Sequence, residues 1–206
     1  MKRKVLSIVA CVALMATAAT AQETGFGAKL GMNLANMSGD VEDASNRTSL
    51  NIGGFYNMMI SDAFGLQFEL VYSGQGYKMK ETTVTEPSGI PGVPDITYTM
   101  PEATYKMDYI NIPILAKYYF TESLNVVAGP QIGFNIGAKV DVDGESEDLE
   151  DVSSLDIALG FGLQYELEMG LGFGARYNVG MSNTYSGEGD YTAKNNVIQI
   201  GLQYQF

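Results

Sequence analysis

From Gly25 onward, apolar and polar residues alternate with a period of two, in runs separated by turn-forming residues. That period places successive side chains on opposite faces of a strand, and no window carries the 3.6-residue period of an amphipathic helix. The alternation predicts eight strands, at 24-36, 48-60, 63-80, 105-120, 123-140, 153-167, 169-182 and 195-206. In the third, Phe64, Leu66, Phe68, Leu70 and Tyr72 oppose Gln67, Glu69, Val71, Ser73 and Gln75. In the fourth, Ile110, Ile112, Ile114, Ala116 and Tyr118 oppose Asn111, Pro113, Leu115, Lys117 and Tyr119. The last strand sets Ile198, Ile200, Leu202, Tyr204 and Phe206 against Gln199, Gly201, Gln203 and Gln205. The second is the least regular, because Phe55 and Met59 fall on its polar face.

The connections sort by length. Long segments near 37-47, 81-104, 141-152 and 183-194 follow the odd-numbered strands, whereas tight turns at Ser61-Asp62, Thr121-Glu122 and Glu168 follow the even-numbered ones. Long loops on one rim, short turns and both chain ends on the other, is the layout of an outer-membrane barrel. The expected fold is therefore all-β, an antiparallel up-and-down transmembrane barrel of eight strands, or of ten if 81-104 hides a hairpin.

Alternation alone does not say which face meets lipid, since a soluble lipocalin-like barrel alternates too. The polar face decides it. A sheet wetted on that face carries Lys and Glu to keep it monomeric. Here it is mostly small and uncharged: Gly27, Gly31, Asn33, Gly129, Gln131, Gly133, Asn135, Gly172, Gly174 and Asn178. Such residues suit the narrow interior of a small barrel, which only side chains fill. The apolar face adds Phe26, Phe64, Tyr118, Phe120, Tyr165, Tyr204 and Phe206 near the short-turn ends, the level of an interfacial aromatic girdle. With no Trp in the chain, Tyr and Phe form that girdle alone.

The amino terminus agrees with export. Lys2, Arg3 and Lys4 precede an apolar run from Val5 to Ala16 and an Ala19-Thr20-Ala21 site, the three parts of a secretory signal. Residues 1-21 are expected to be a cleaved signal and 22-206 the barrel domain. Cleavage discards Cys11, leaving neither a disulfide nor a thiolate. It also removes three basic residues, taking the formal charge from -12 to -15, nine basic against 24 acidic, which argues against nucleic acid as a partner.

With this layout, the segment "MDYINIPILAKYYF" and a final strand that alternates to a terminal Phe, residues 22-206 resemble the PorT-like, porin-family outer-membrane β-barrels, relatives in shape of the small OmpA- and OmpX-type barrels. The resemblance implies location in the outer membrane, contact with outer-membrane lipid, and recognition of the last strand by the barrel assembly machinery. It implies little about activity.

Histidine is absent, which removes the usual Ser-His and Cys-His nucleophiles and His-rich metal sites. No nucleophile-base pair or cofactor motif remains, so neither catalysis nor a cofactor is expected. The glycines of "GFGLQYELEMGLGFGARY" lack the Gly-Lys-Ser/Thr triplet and following helix of a phosphate loop, and read as strand positions facing a crowded lumen.

Six charged residues fall on the lumen face, Lys29, Lys117 and Arg176 against Glu69, Asp156 and Glu166. Three of each sign are expected to pair into a plug, since buried charges need partners, with Asp156 nearest the outer mouth. Segment 141-151 packs seven carboxylates into eleven positions. Its opening D-x-D-G matches part of a calcium loop without EF-hand spacing, so it reads first as a solvated loop and second as a cation site using Asp141, Asp143, Glu145, Glu147 and Asp148. Segment 81-103 holds four of the six prolines and the apolar Ile90, Val93, Ile96, Tyr98 and Met100, a projecting contact surface or a cover folded over the mouth.

The favoured reading is a non-enzymatic barrel with a filled lumen whose loops bind an unidentified extracellular ligand or protein, or support envelope integrity. A narrow passive channel is the alternative, and a soluble periplasmic carrier the third.

Overall fold

The computed structural model describes residues 24–41, 43–88, 94–187 and 189–206. The expected signal, 1-21, lies outside them. Eleven strands occur among the described residues: β1 (Gly25–Gly39), β2 (Ala44–Ser61), β3 (Phe64–Met79), β4 (Thr82–Glu86), β5 (Ile96–Met100), β6 (Ala103–Tyr119), β7 (Leu124–Val142), β8 (Glu145–Asp148), β9 (Leu155–Glu166), β10 (Leu171–Gly180) and β11 (Ala193–Gln205). Eight of them, all but β4, β5 and β8, form one closed antiparallel barrel. β6 pairs with both β3 and β7, and β1 closes the ring on β11 from Gly27↔Gln205 to Gly39↔Ala193. At the seam, the Phe206 amide donates to the Phe26 carbonyl at 2.9 Å.

Segment 81-104 does hide a hairpin, yet it does not raise the strand number. β4 and β5 pair only with each other, with Thr83 opposite Thr99 and Thr85 opposite Thr97. Ile96, Tyr98 and Met100 are exposed on it; Ile90 and Val93 lie outside the described residues. The other correction in the loops concerns 141-152. Asp143 and Gly144, at φ 51° and 88°, form a two-residue turn joining β7 to β8. Asp-Gly with two positive φ angles is a hairpin signal, so D-x-D-G here encodes a turn.

The apolar phase of every barrel strand points outward. Leu70, Leu163, Ile200 and Leu202 each expose more than half their surface, which water would penalise and lipid solvates. Toward the loops the same face turns polar at Asn36, Ser38, Asn46 and Lys194. β1, β2, β3, β6 and β7 run 15 to 19 residues, whereas a bilayer needs about 9–11. The strands therefore extend the barrel beyond the membrane on the loop side.

The interior is packed by setting large side chains opposite glycines of neighbouring strands. Phe55 lies across from Gly27, Lys29 from Gly53, Arg176 from Gly162 and Glu166 from Gly172. A Cβ at Gly27 would sit 2.1 Å from the Phe55 ring, and one at Gly162 would sit 2.8 Å from the Arg176 Cα. This pairing explains the irregularity of β2: Phe55 belongs to the lumen, with Val71, Leu115 and Val127 also buried inside. The inner face is thus less uniformly polar than the sequence reading has it.

Candidate functional site

Glu69, on β3, is the centre of the lumen. Its side chain has no solvent exposure and takes a bidentate contact from Arg176 of β10, Nη1 to Oε1 and Nη2 to Oε2, both at 2.9 Å. Lys29 of β1 reaches Oε2 at 2.8 Å, and the Gln67 amide donates to Oε1 at 2.6 Å. Arg176 also donates through Nη2 to the Gln199 carbonyl oxygen of β11 at 2.7 Å. Planar Arg–carboxylate pairs of this kind are among the strongest and most directional in proteins.

A second carboxylate continues the network toward the short-turn rim. Glu166 of β9 receives Lys117 Nζ at 2.5 Å, the Tyr119 hydroxyl at 2.9 Å and the Gln203 amide at 2.7 Å. Lys117 Nζ donates to the Gln67 carbonyl oxygen at 3.3 Å, which joins both halves. Side chains from β1, β3, β6, β9, β10 and β11 are thereby tied across the interior. All of its charges are side-chain buried except Lys29, which exposes 13%. With desolvation already incurred, each remaining partner is costly to remove.

Five of the six expected lumen charges meet here; Asp156 does not. It is buried higher in the lumen, where its partner is the Ser182 hydroxyl at 2.9 Å. Three cations therefore face two carboxylates, where three of each sign were expected to pair. Gln67, Tyr119, Gln199 and Gln203 complete the network. The sequence places them on the lumen phase, but which of them meet depends on the stagger of strands around the barrel, which alternation does not encode.

The acidic segment does not gather its carboxylates. Lys106 and the Ser146 hydroxyl hydrogen-bond Asp141 and hold its carboxyl below the usual range. Asp148 pairs with Lys139 at 3.2 Å. Among the described residues no three carboxylates come together as a metal site would require.

At the short-turn rim the seven expected girdle aromatics lie on or beside the outward face. Tyr118 and Phe120 meet edge-on at 5.2 Å, Tyr204 and Phe206 at 5.7 Å, and Tyr165 stacks on Phe173 at 5.3 Å. Phe26 packs on Tyr56 at 4.8 Å.

A closed eight-stranded barrel, apolar outside and filled inside, with aromatics at one end, is the form of an integral outer-membrane protein. The chain belongs to the outer membrane protein beta-barrel domain family, whose model matches residues 7–206. It is an outer-membrane protein, which removes the soluble periplasmic carrier. Among solved structures it is similar to Ail, the attachment invasion locus protein of Yersinia pestis, at 16% identity and a TM-score of 0.51, over 89% of this chain and 100% of that one. It is also similar to Neisserial surface protein A, at 16% identity and a TM-score of 0.55, over 88% of this chain and 97% of that one. At such identities the likeness is one of fold. No curated protein matched in sequence.

Proposed function

We propose that this protein is a non-enzymatic, PorT-like barrel whose lumen is closed by its charge network and which works through the loops it displays outside the cell. The observation that carries this reading is Glu69, bridged to Lys29 and Arg176 within a hydrogen-bonded web that reaches six strands. Moving a solute past it requires separating ion pairs whose side chains are almost fully buried. Signal cleavage after Ala21, and recognition of Tyr204 and Phe206 at the carboxyl end of the last strand by the assembly machinery, belong to the same reading.

One observation favours the narrow channel as a second reading. Among the described residues, the buried side-chain amides of Asn111, Asn125 and Asn178 have no hydrogen-bond partner. Buried amides need partners, so these bond water, and hydrated stretches would then flank the network.

Display of the loops is tested by proteolysis of intact cells. Proteinase K is expected to cut within 81-102, in the β4–β5 hairpin, and to leave the barrel strands protected. Cleavage of that hairpin only after the outer membrane is disrupted would place the loops on the inner side and end the reading.

A further inference from the structure

The outer mouth of the barrel is not filled as the lumen below it is. Between the strand ends and three loops lies a cavity of about 330 Å³, within the range of about 300–1,000 Å³ usual for small-molecule sites. Its apolar lining includes Met37, Tyr77, Met107 and Ala193, and Tyr105 stacks against Tyr77 at 4.5 Å and 3°. Tyr185 and Tyr191, edge to face at 5.3 Å, also line it. Asp148, Glu150 and Asp151 line it toward solvent.

The cup is held open by backbone bonds between its own loops. The Ser153 amide donates to the Thr184 carbonyl at 2.8 Å and the Ser186 amide to the Asp151 carbonyl at 3.1 Å, around the Val152↔Tyr185 bridge. The Asp40 amide donates to the Thr192 carbonyl at 2.8 Å, tying the first loop to the last. A site assembled before its ligand arrives loses less entropy on binding.

Its charge selects the occupant. Neither Lys nor Arg lines it, and among the described residues Glu150 and Asp151 have no ion-pair partner. Aromatic faces attract cations, quaternary ammonium groups in particular, and carboxylates at the entrance add to that field. We infer that this cup binds a small organic cation with an apolar or aromatic body, its charge held between the tyrosine rings and the acidic rim. The inference rests on the reading that the loops act outside the cell, and it names the ligand class they take.

The test uses the barrel extracted from outer membranes in a nonionic detergent, so that no headgroup competes, with methionine methyl groups labelled for NMR. Benzyltrimethylammonium is titrated beside benzyl alcohol and benzoate. The cation is expected to shift the Met37 and Met107 methyl signals saturably and to bind more tightly than either comparison. Removing the rim charges with the exposed-loop pair Glu150→Gln and Asp151→Asn is expected to weaken it by about fivefold. Equal affinity for all three probes would overturn the cation assignment, and unshifted Met37 and Met107 signals would overturn the site. Failure of the closed-lumen reading is separate, because it shows as conductance, which these titrations do not measure.

Discussion

Glu69→Ala is expected to destabilise the folded barrel by about 3–5 kcal/mol, the usual cost of removing one partner from a buried ion pair. Arg176 loses both charged contacts and keeps only Gln199, while Lys29 loses its single carboxylate. Both cations would remain largely buried in the lumen without a carboxylate beside them, Arg176 with the Gly162 backbone close against its own. Urea unfolding in lipid vesicles, followed by tyrosine fluorescence, measures the change. A stability within about 0.5 kcal/mol of wild type would remove the network from the account of this fold. A triple variant, Glu69→Ala with Lys29→Met and Arg176→Met, discriminates further. Replacing a whole buried charge set by apolar groups is often neutral, so it is expected to recover much of the loss. If it does not, the cost lies in packing.

Ile200→Arg is expected to cost about 2–4 kcal/mol in the same assay, the penalty for a basic residue at the bilayer midplane. Ile200 sits midway along β11, paired with Met32 and Ala175, and is 55% exposed. Exposure of that degree in water would make the substitution harmless. In lipid it puts a charge where nothing solvates it. Depth supplies the control: Tyr204→Arg, at the short-turn girdle, is expected to cost about 0–1 kcal/mol. Equal costs at both positions would contradict the assignment of the outer face to the membrane.

How much of this was legible in the sequence follows from what a period of two encodes. Alternation assigns each residue to a face, so the outward positions of Leu70 and Ile200 and the inward ones of Lys29, Glu69 and Arg176 could be read directly. It does not encode position around and along the barrel, which comes from register between strands far apart in sequence. That is why Asp156 was grouped with charges it never meets. Glu69 and Arg176, 107 residues apart, are joined only once the ring closes. Alternation puts Phe55 on the lumen phase too, but not the reason it is tolerated there. An aromatic on the lumen phase fits only because Gly27 lies across from it, a fact about two strands. The Asp143-Gly144 turn, by contrast, is available as a local hairpin signal, although the sequence reads it first as part of a solvated loop. The mouth cup combines the ends of five strands and three loops, and nothing local announces it.

Whether the lumen is closed is tested most directly by single-channel conductance of the native barrel in a planar bilayer. Insertion, verified by the mobility of the folded band, with no discrete current steps is the predicted result, and Glu69→Ala in the same bilayer is expected to open steps. Reproducible steps of uniform size from the wild-type protein would contradict the account and make Lys29, Glu69, Lys117 and Arg176 the gate of a channel.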